Sequence, residues 1–345
     1  MASTSNKPII GISMGDPAGI GPEIIAAALA KPKVRELCRP LVVGDASVMH
    51  QAIGIARVPL RVRSVGSIHE ASFASDVIDV FDLKNIDLQQ LRLGQVSKMA
   101  GNAAFEAVRN MIELATAGSI AATVTAPIHK EALVLAGHHF PGHTEIFAHF
   151  TGTSDFTMML AAGNFRVVHV STHVSLRQAC DAVKRDRVLK VIGLANDACR
   201  RLGIAKPKIG VAGLNPHASD GGLFGSEERE EIIPAIESAR ANGIDVEGPQ
   251  PPDTFFAKAV SGAYDVCVAM YHDQGHIPVK ITGFKYDATA RTWTSVNGIN
   301  VSLGLPIIRT SVDHGTAFDQ AGKGTASDAS LLDAIEYAAK LAANR

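Results

Sequence analysis

The sequence predicts an α/β protein with a largely parallel sheet, and three observations carry that prediction. Short apolar, β-branched runs alternate with longer stretches of helical spacing through most of the chain. Glycine closes several of the helical stretches. Polar residues, histidine among them, follow directly on strand-like runs, where open parallel sheets hold their ligands.

Taken in order, Ile9–Met14 reads as a buried strand that passes through Gly15–Gly21 into a helix opening at Pro22, because proline suits a first helical turn. Leu41–Val43 and Val77–Phe81 are further strands. Ser97–Ala117 has apolar residues at helical spacing, with Gly118 placed to stop it. Ile120–Val124 reads as a strand and Ile128–Ala136 as a helix. In the second half, Val167–Val170, Ile209–Ala212 and Val266–Met270 are strands, and Arg187–Leu202 is a helix ending at Gly203. Ser226–Ala241 is a helix whose Glu227 and Glu228 lie near the positive end of its dipole.

The 345 residues exceed what one core usually holds, so two lobes are expected. A hydrophobic fraction of 46% with 19% charged residues excludes a disordered chain. Lys and Arg total 33 against 34 for Asp and Glu, and aromatic residues are 5%. That balance gives no surplus to grip a phosphate backbone and few platforms for bases, so nucleic-acid binding is not expected. No run of about 18 apolar residues is present to span a membrane, and no basic-then-apolar leader opens the sequence. A cytoplasmic protein is expected. Cys38, Cys180, Cys199 and Cys267 lie far apart without a CxxC pair, as buried free thiols of a reducing compartment would.

Chemistry concentrates at the strand ends. His173, His217 and His272 each follow a strand; together they would supply a divalent ion with three ligands and leave one position open, whereas singly they read as turn or capping histidines. Asp253 and Asp273 suit the orientation of a ligand histidine. GDPAGIGPE (15–23) joins a strand to a helix, the context of an anion loop, but its glycine spacing misses GxGxxG and fits a tight turn equally. The Gly-Lys pair at 322–323 fails the Walker pattern, with Ala317 where the first glycine belongs and Gly324 after the lysine. A backbone-lined loop for adenosine or phosphate is left. Thr144 reads as an N-cap with His143 at the helix entrance. Lys280 and Arg309 bring cations to turns, where arginine suits a phosphate or carboxylate and solvation is the plain alternative. Asn300 is a polar residue in an apolar run.

The segments GDPAGIGPE (15–23), TAPIHK (125–130), GHTE (142–145), STH (171–173), GLNPHA (213–218), PPDT (251–254), YHDQGH (271–276) and INVSLGLPIIRTSVDHGTAFD (299–319), in that order, resemble the 4-hydroxythreonine-4-phosphate dehydrogenase family of pyridoxine biosynthesis. The resemblance implies a two-domain fold like that of isocitrate and isopropylmalate dehydrogenases, with parallel-rich sheets and a cleft between domains. Residues 1–135 with 300–345 would form the cofactor-side domain and 136–299 the metal, substrate and dimerisation domain. It implies NAD-dependent oxidation of the C3 hydroxyl of a 4-phosphorylated four-carbon acid, followed by decarboxylation. His173, His217 and His272 become ligands of a divalent metal (zinc, or magnesium, manganese or cobalt) in a site shared across a homodimer. His143, Thr144, Lys280, Asn300 and Arg309 match substrate-binding positions, and Lys280, Asp253 and Asp273 are the candidates for catalysis. His314, Gly315, Ala317 and Asp319 fall in a stretch like the superfamily's adenosine-side loop. Asp16 and His276 look closer to a catabolic branch acting on phosphorylated threonate or erythronate. A longer loop at Lys285–Ser295, with Trp293, departs from the biosynthetic pattern and reads as a surface insertion or lid. Two alternatives stand beside this reading: an aromatic cis-dihydrodiol carboxylate dehydrogenase, and a non-enzymatic metabolite-binding homologue.

Overall fold

The computed structural model describes residues 7–289 and 292–344, the backbone alone for 292–296. In chain order the elements are β1 (Ile9–Ser13), α1 (Gly21–Leu29), α2 (Pro32–Leu37), β2 (Arg39–Gly44), α3 (Ala46–Ile55), β3 (Arg61–Val65), β4 (Val77–Asp82), α4 (Lys98–Thr116), β5 (Ala122–Thr125), α5 (Lys130–Leu135) and α6 (His143–Thr151). They continue as β6 (Thr157–Ala162), β7 (Phe165–His169), α7 (Leu176–Ala182), α8 (Arg185–Arg201), β8 (Ile209–Ala212), α9 (Ile233–Ala241), β9 (Val246–Gln250) and α10 (Pro252–Val260). The last are β10 (Val266–Ala269), α11 (His272–Gly283), β11 (Phe284–Asp287), β12 (Thr292–Val296), β13 (Ile299–Leu303), β14 (Arg309–Val312) and α12 (Ala329–Ala343).

The chain divides into two compact units, one of residues up to 154 with 305–343 and the other of 155–304. The sequence reading drew the lines at 135/136 and 299/300. Two packing facts account for the difference. Helix α6 packs on α4, which keeps 143–151 with the first unit. Strand β13 pairs antiparallel with β6, which keeps 299–303 with the second.

In the first unit the strands run β3-β4-β2-β1-β5-β14, and every pairing is parallel. β1, β2 and β5 are buried along nearly their whole length, as strands covered on both faces must be. Chain connections leave β1 in one direction toward β2, while its other neighbour, β5, belongs to a later stretch. Loops at the carboxyl ends of β1, β5 and β14 therefore share the edge where ligands of such sheets bind. The β1 loop turns at Gly15, whose φ of 75° is left-handed and whose missing Cβ leaves room for the Pro127 carbonyl.

In the second unit the order is β13-β6-β7-β10-β8-β9; β13-β6-β7 are antiparallel and β7-β10-β8-β9 parallel. An apolar core of Leu160, Val167, Phe255, Cys267 and Val279 holds β6, β7 and β10 to α10 and α11. Residues Lys285–Ser295 belong to the β11–β12 hairpin, apart from 290–291, which lie outside the described residues.

Several sequence expectations need correction. Thr144 is not an N-cap: Gly142 holds that position, so Thr144 sits inside the first turn of α6. The helix expected over 226–241 opens with a π-helical segment at Glu228–Ile232 before α9. Cys38, Cys199 and Cys267 are buried thiols as expected, and Cys180 is half-exposed. Among the described residues, no helix is long and apolar enough to cross a membrane.

Candidate active site

In the first unit the site begins with Arg309. It opens β14 opposite Thr123, yet its side chain runs forward along the strand to Thr125. Its Nη2 donates to Thr125 Oγ1 at 2.9 Å, its Nη1 to Thr144 Oγ1 at 3.3 Å, and the guanidinium lies 5.8 Å from the Phe147 ring centre. Burial pushes its pKa down to about 10, with Glu145 opposing, so it stays charged at neutral pH. Burial, with Arg309 second, also holds the His143 imidazole well below its ordinary range. A neutral imidazole and a buried guanidinium suit an incoming anion.

Thr125, Ile128, Lys130, His143, Ser311 and His314 are among the residues that line a cavity of about 130 Å³. It draws on the carboxyl ends of β5 and β14, together with the start of α6. Gly315 lines it too, and Ala317 sits two residues on with φ of 41°. His314 Nδ1 lies 3.0 Å from the Gly315 carbonyl, and Asp319 accepts a hydrogen bond from Gln320. The loop 314–324 is fastened from below by Glu23, whose Oε2 accepts the N–H groups of Gly322 and Gly324 at 3.2 and 3.3 Å. Asp16 is wholly buried; its Oδ1 accepts the Ala18 N–H at 2.8 Å while Oδ2 has no partner. Burial raises its pKa to about 6, against the opposing Ala18 hydrogen bond and the charge of His129.

In the second unit three adjacent parallel strands, β7, β10 and β8, are followed by His173, by His272 at the start of α11, and by His217. His173 and His272 lie with ring centres 5.7 Å apart and line a cavity of about 320 Å³ with Thr172, Val174, Leu176 and Tyr271. Asp273 Oδ1 accepts the Nδ1–H of His272 at 2.7 Å, which leaves the Nε2 lone pair of His272 open. His217 stands elsewhere in the unit, 3.9 Å from Asp253 and beside Phe224, on a turn where residues 217–220 all have positive φ. Among the described residues of one chain, no three metal-ligating side chains converge. The donor chemistry nevertheless fits a zinc-like ion: paired imidazoles, one with a carboxylate at its outer nitrogen, are the ligands such an ion takes.

Lys280 lies two turns along α11 from His272, its Nζ 4.2 Å from the Phe284 ring centre. Asn300 is half-buried on β13; its Nδ2 lies 3.9 Å from Met158 Sδ, and its Oδ1 is buried without a partner. Sequence reasoning passed over the part of His169 and His276 in this neighbourhood. His276 stacks on His272 at 3.5 Å, and the fully buried His169 lies 4.7 Å from His276. The missed signal was spacing: residues 169 and 173, and again 272 and 276, are histidines four apart.

Side chains of this kind at the carboxyl ends of parallel strands define an α/β protein that binds small ligands at its sheet edges. The family model described as pyridoxal phosphate biosynthetic protein PdxA matches residues 36–338, and the chain belongs to that family. It is 48% identical, over 98% of both chains, to a D-threonate 4-phosphate dehydrogenase of Cupriavidus necator. A solved 4-hydroxythreonine-4-phosphate dehydrogenase from Burkholderia phymatum is 45% identical with a TM-score of 0.83, covering 97% of this chain and 98% of its own. A terephthalate 1,2-cis-dihydrodiol dehydrogenase from Burkholderia xenovorans is 32% identical with a TM-score of 0.68, covering 96% and 98%. These relatives are all dehydrogenases.

Proposed function

We propose that the protein is a dehydrogenase of a 4-phosphorylated four-carbon hydroxy acid, with D-threonate 4-phosphate as first choice, using NAD and a divalent metal. The observation that carries the choice of a phosphorylated substrate is the buried Arg309 guanidinium, braced by Thr144 and by Thr125, which with His143 and Ser311 lines the cavity. The relative named for a cis-dihydrodiol is 32% identical, against 48% for the D-threonate 4-phosphate dehydrogenase, and this supports the phosphorylated acid.

In the first unit, Arg309, Thr144 and His143 bind and orient the phosphate. The fixed fork of the guanidinium converts binding energy into position. The loop carrying His314, Gly315, Ala317 and Asp319 holds the cofactor through backbone groups. In the second unit, His173 and His272 hold the metal, with Asp273 fixing the tautomer of His272. His217 completes the ligand set from a second copy of the chain, with Asp253 orienting its ring, so the working form is a homodimer. A divalent ion held by His173 and His272 would supply Lewis-acid polarisation of the C3 hydroxyl, and a nicotinamide held by the 314–324 loop would supply the hydride acceptor. Lys280 takes or returns the proton at the reacting oxygen, and Asn300 hydrogen-bonds the substrate through its unpartnered Oδ1. Oxidation at C3 leaves a ketone β to the carboxylate, from which CO2 can depart.

The test is NADH formation with D-threonate 4-phosphate, the erythronate epimer and 4-hydroxythreonine 4-phosphate, each with added zinc, magnesium, manganese or cobalt. CO2 release is followed in parallel. Turnover of one phosphorylated acid supports the reading. Turnover of an aromatic dihydrodiol alone supports the other enzyme class, and silence with every substrate and metal points to the metabolite-binding homologue.

A further inference from the structure

His276 lies flat against His272: the ring centres are 3.5 Å apart and the planes differ by 11°. The two residues are four apart on α11, so consecutive helical turns bring them face to face. A backbone carbonyl can only accept, so His276 Nδ1 donates to the His272 carbonyl, at 3.0 Å, and this fixes its tautomer. To its side stands His169, fully buried at the end of β7, 4.7 Å away and inclined by 47°, with its ring centre 6.5 Å from that of His272. Space for His169 exists because residue 275 is glycine; a Cβ there would collide with His169 Nε2. His276 thus touches His272 face to face and has the buried His169 beside it.

We propose that His276 is a positioning residue that holds the His272 ring in the orientation required to ligate the metal. The inference rests on the metal reading given above. Asp273 constrains His272 within its ring plane, through Nδ1. It leaves the ring free to rock about that hydrogen bond. A flat partner on one face removes the rocking freedom, so the plane and the in-plane direction are both set and Nε2 points one way. His276 is not itself a ligand of the same ion in this arrangement. An imidazole lone pair lies in the plane of its ring, and these two planes are nearly parallel. An ion shared between them would sit well out of both planes.

Cobalt(II) replaces zinc as a visible probe. Its affinity is measured by calorimetric titration and its ligand-field absorption is recorded for the full-length protein and for H276L, H276F and H276N. Thermal unfolding of each variant serves as the folding control. H276L should bind cobalt roughly 10-fold more weakly, with shifted or broadened bands, as expected for loss of a group that orients a ligand. H276F restores the flat face and should recover most of the affinity and the band shape. H276N keeps a donor for the His272 carbonyl without the ring and should behave like H276L. Equal affinity and identical spectra for wild type and a folded H276L overturn the inference and leave the metal reading intact. So does failure of H276F to rescue while H276N does. A wild-type protein that takes up no cobalt removes the metal reading and this inference with it.

Discussion

Glu228 clamps Asn215: its buried carboxylate accepts the Asn215 side-chain amide at 2.9 Å and the Asn215 backbone N–H at 2.8 Å, with the Leu214 N–H at 2.7 Å. Two residues later comes His217, on a turn that four consecutive side-chain-bearing residues enter with positive φ. Such a backbone persists only where its surroundings over-determine it. Glu227, which also accepts from Asn215, and Ser219, which donates to the Gly225 carbonyl, complete the fastening.

Replacing Glu228 with alanine removes a charged acceptor from three donors and should lower stability by about 2–4 kcal/mol. Urea unfolding measures it. Because the clamp aims His217, metal affinity should fall as well, and a variant with unchanged affinity would show that the turn holds itself.

Arg309→Lys keeps the charge but loses the planar fork that spans Thr125 and Thr144. The expected result is a KM for the phosphorylated substrate raised roughly 10- to 100-fold, from loss of about 1.5–3 kcal/mol of charged hydrogen bonding, with NAD affinity little changed. Steady-state kinetics separate the two.

Asp16 makes stability fall as pH rises. Its pKa is raised from 3.8 to about 6 on folding, so between these values the folded state binds more protons than the unfolded one. Stability from this group is greatest below about pH 3.8 and is lost as pH climbs through about 6. In Asp16→Asn this slope disappears. The variant's melting temperature should gain on wild type between pH 4 and 6 and keep a constant lead above pH 7, worth up to about 3 kcal/mol. Melting curves across pH check it; a lead that does not grow over that interval contradicts the assignment.

Asp273→Ala frees the outer nitrogen of His272 and should weaken divalent-metal binding about 10- to 100-fold. Chelation should abolish NADH formation in wild type, and re-added zinc should restore it at lower concentration than in the variant. Activity that survives exhaustive chelation would rule out the metal.

Much of this was legible in the residues alone. β8 falls where the apolar run put it, and the histidines that drew attention follow shortly after β7, β10 and β8. Strand ends are readable because an apolar run stops abruptly where the chain leaves a doubly covered sheet. Helix α11 was hidden. Its first turn is His-Asp-Gln-Gly-His and it contains Pro278, so apolar periodicity is faint and proline argues against it. Without that helix, nothing in the sequence places His276 against His272. Arg309 was visible as a cation, but its burial was not, because Thr125 meets it only through the parallel pairing of β14 with β5 and Thr144 only through the placing of α6. His169 looked like one more residue of an apolar strand.

That same pairing of β14 with β5 sets an order on the making of the protein. Until the ribosome has released Arg309–Val312, β5 has an open edge and the first unit lacks a strand of its sheet. Residues 155–304 emerge before that happens and carry β6 to β13. The β5 edge, buried in the finished protein, is thus a surface that stays unpaired through the synthesis of more than half of the chain.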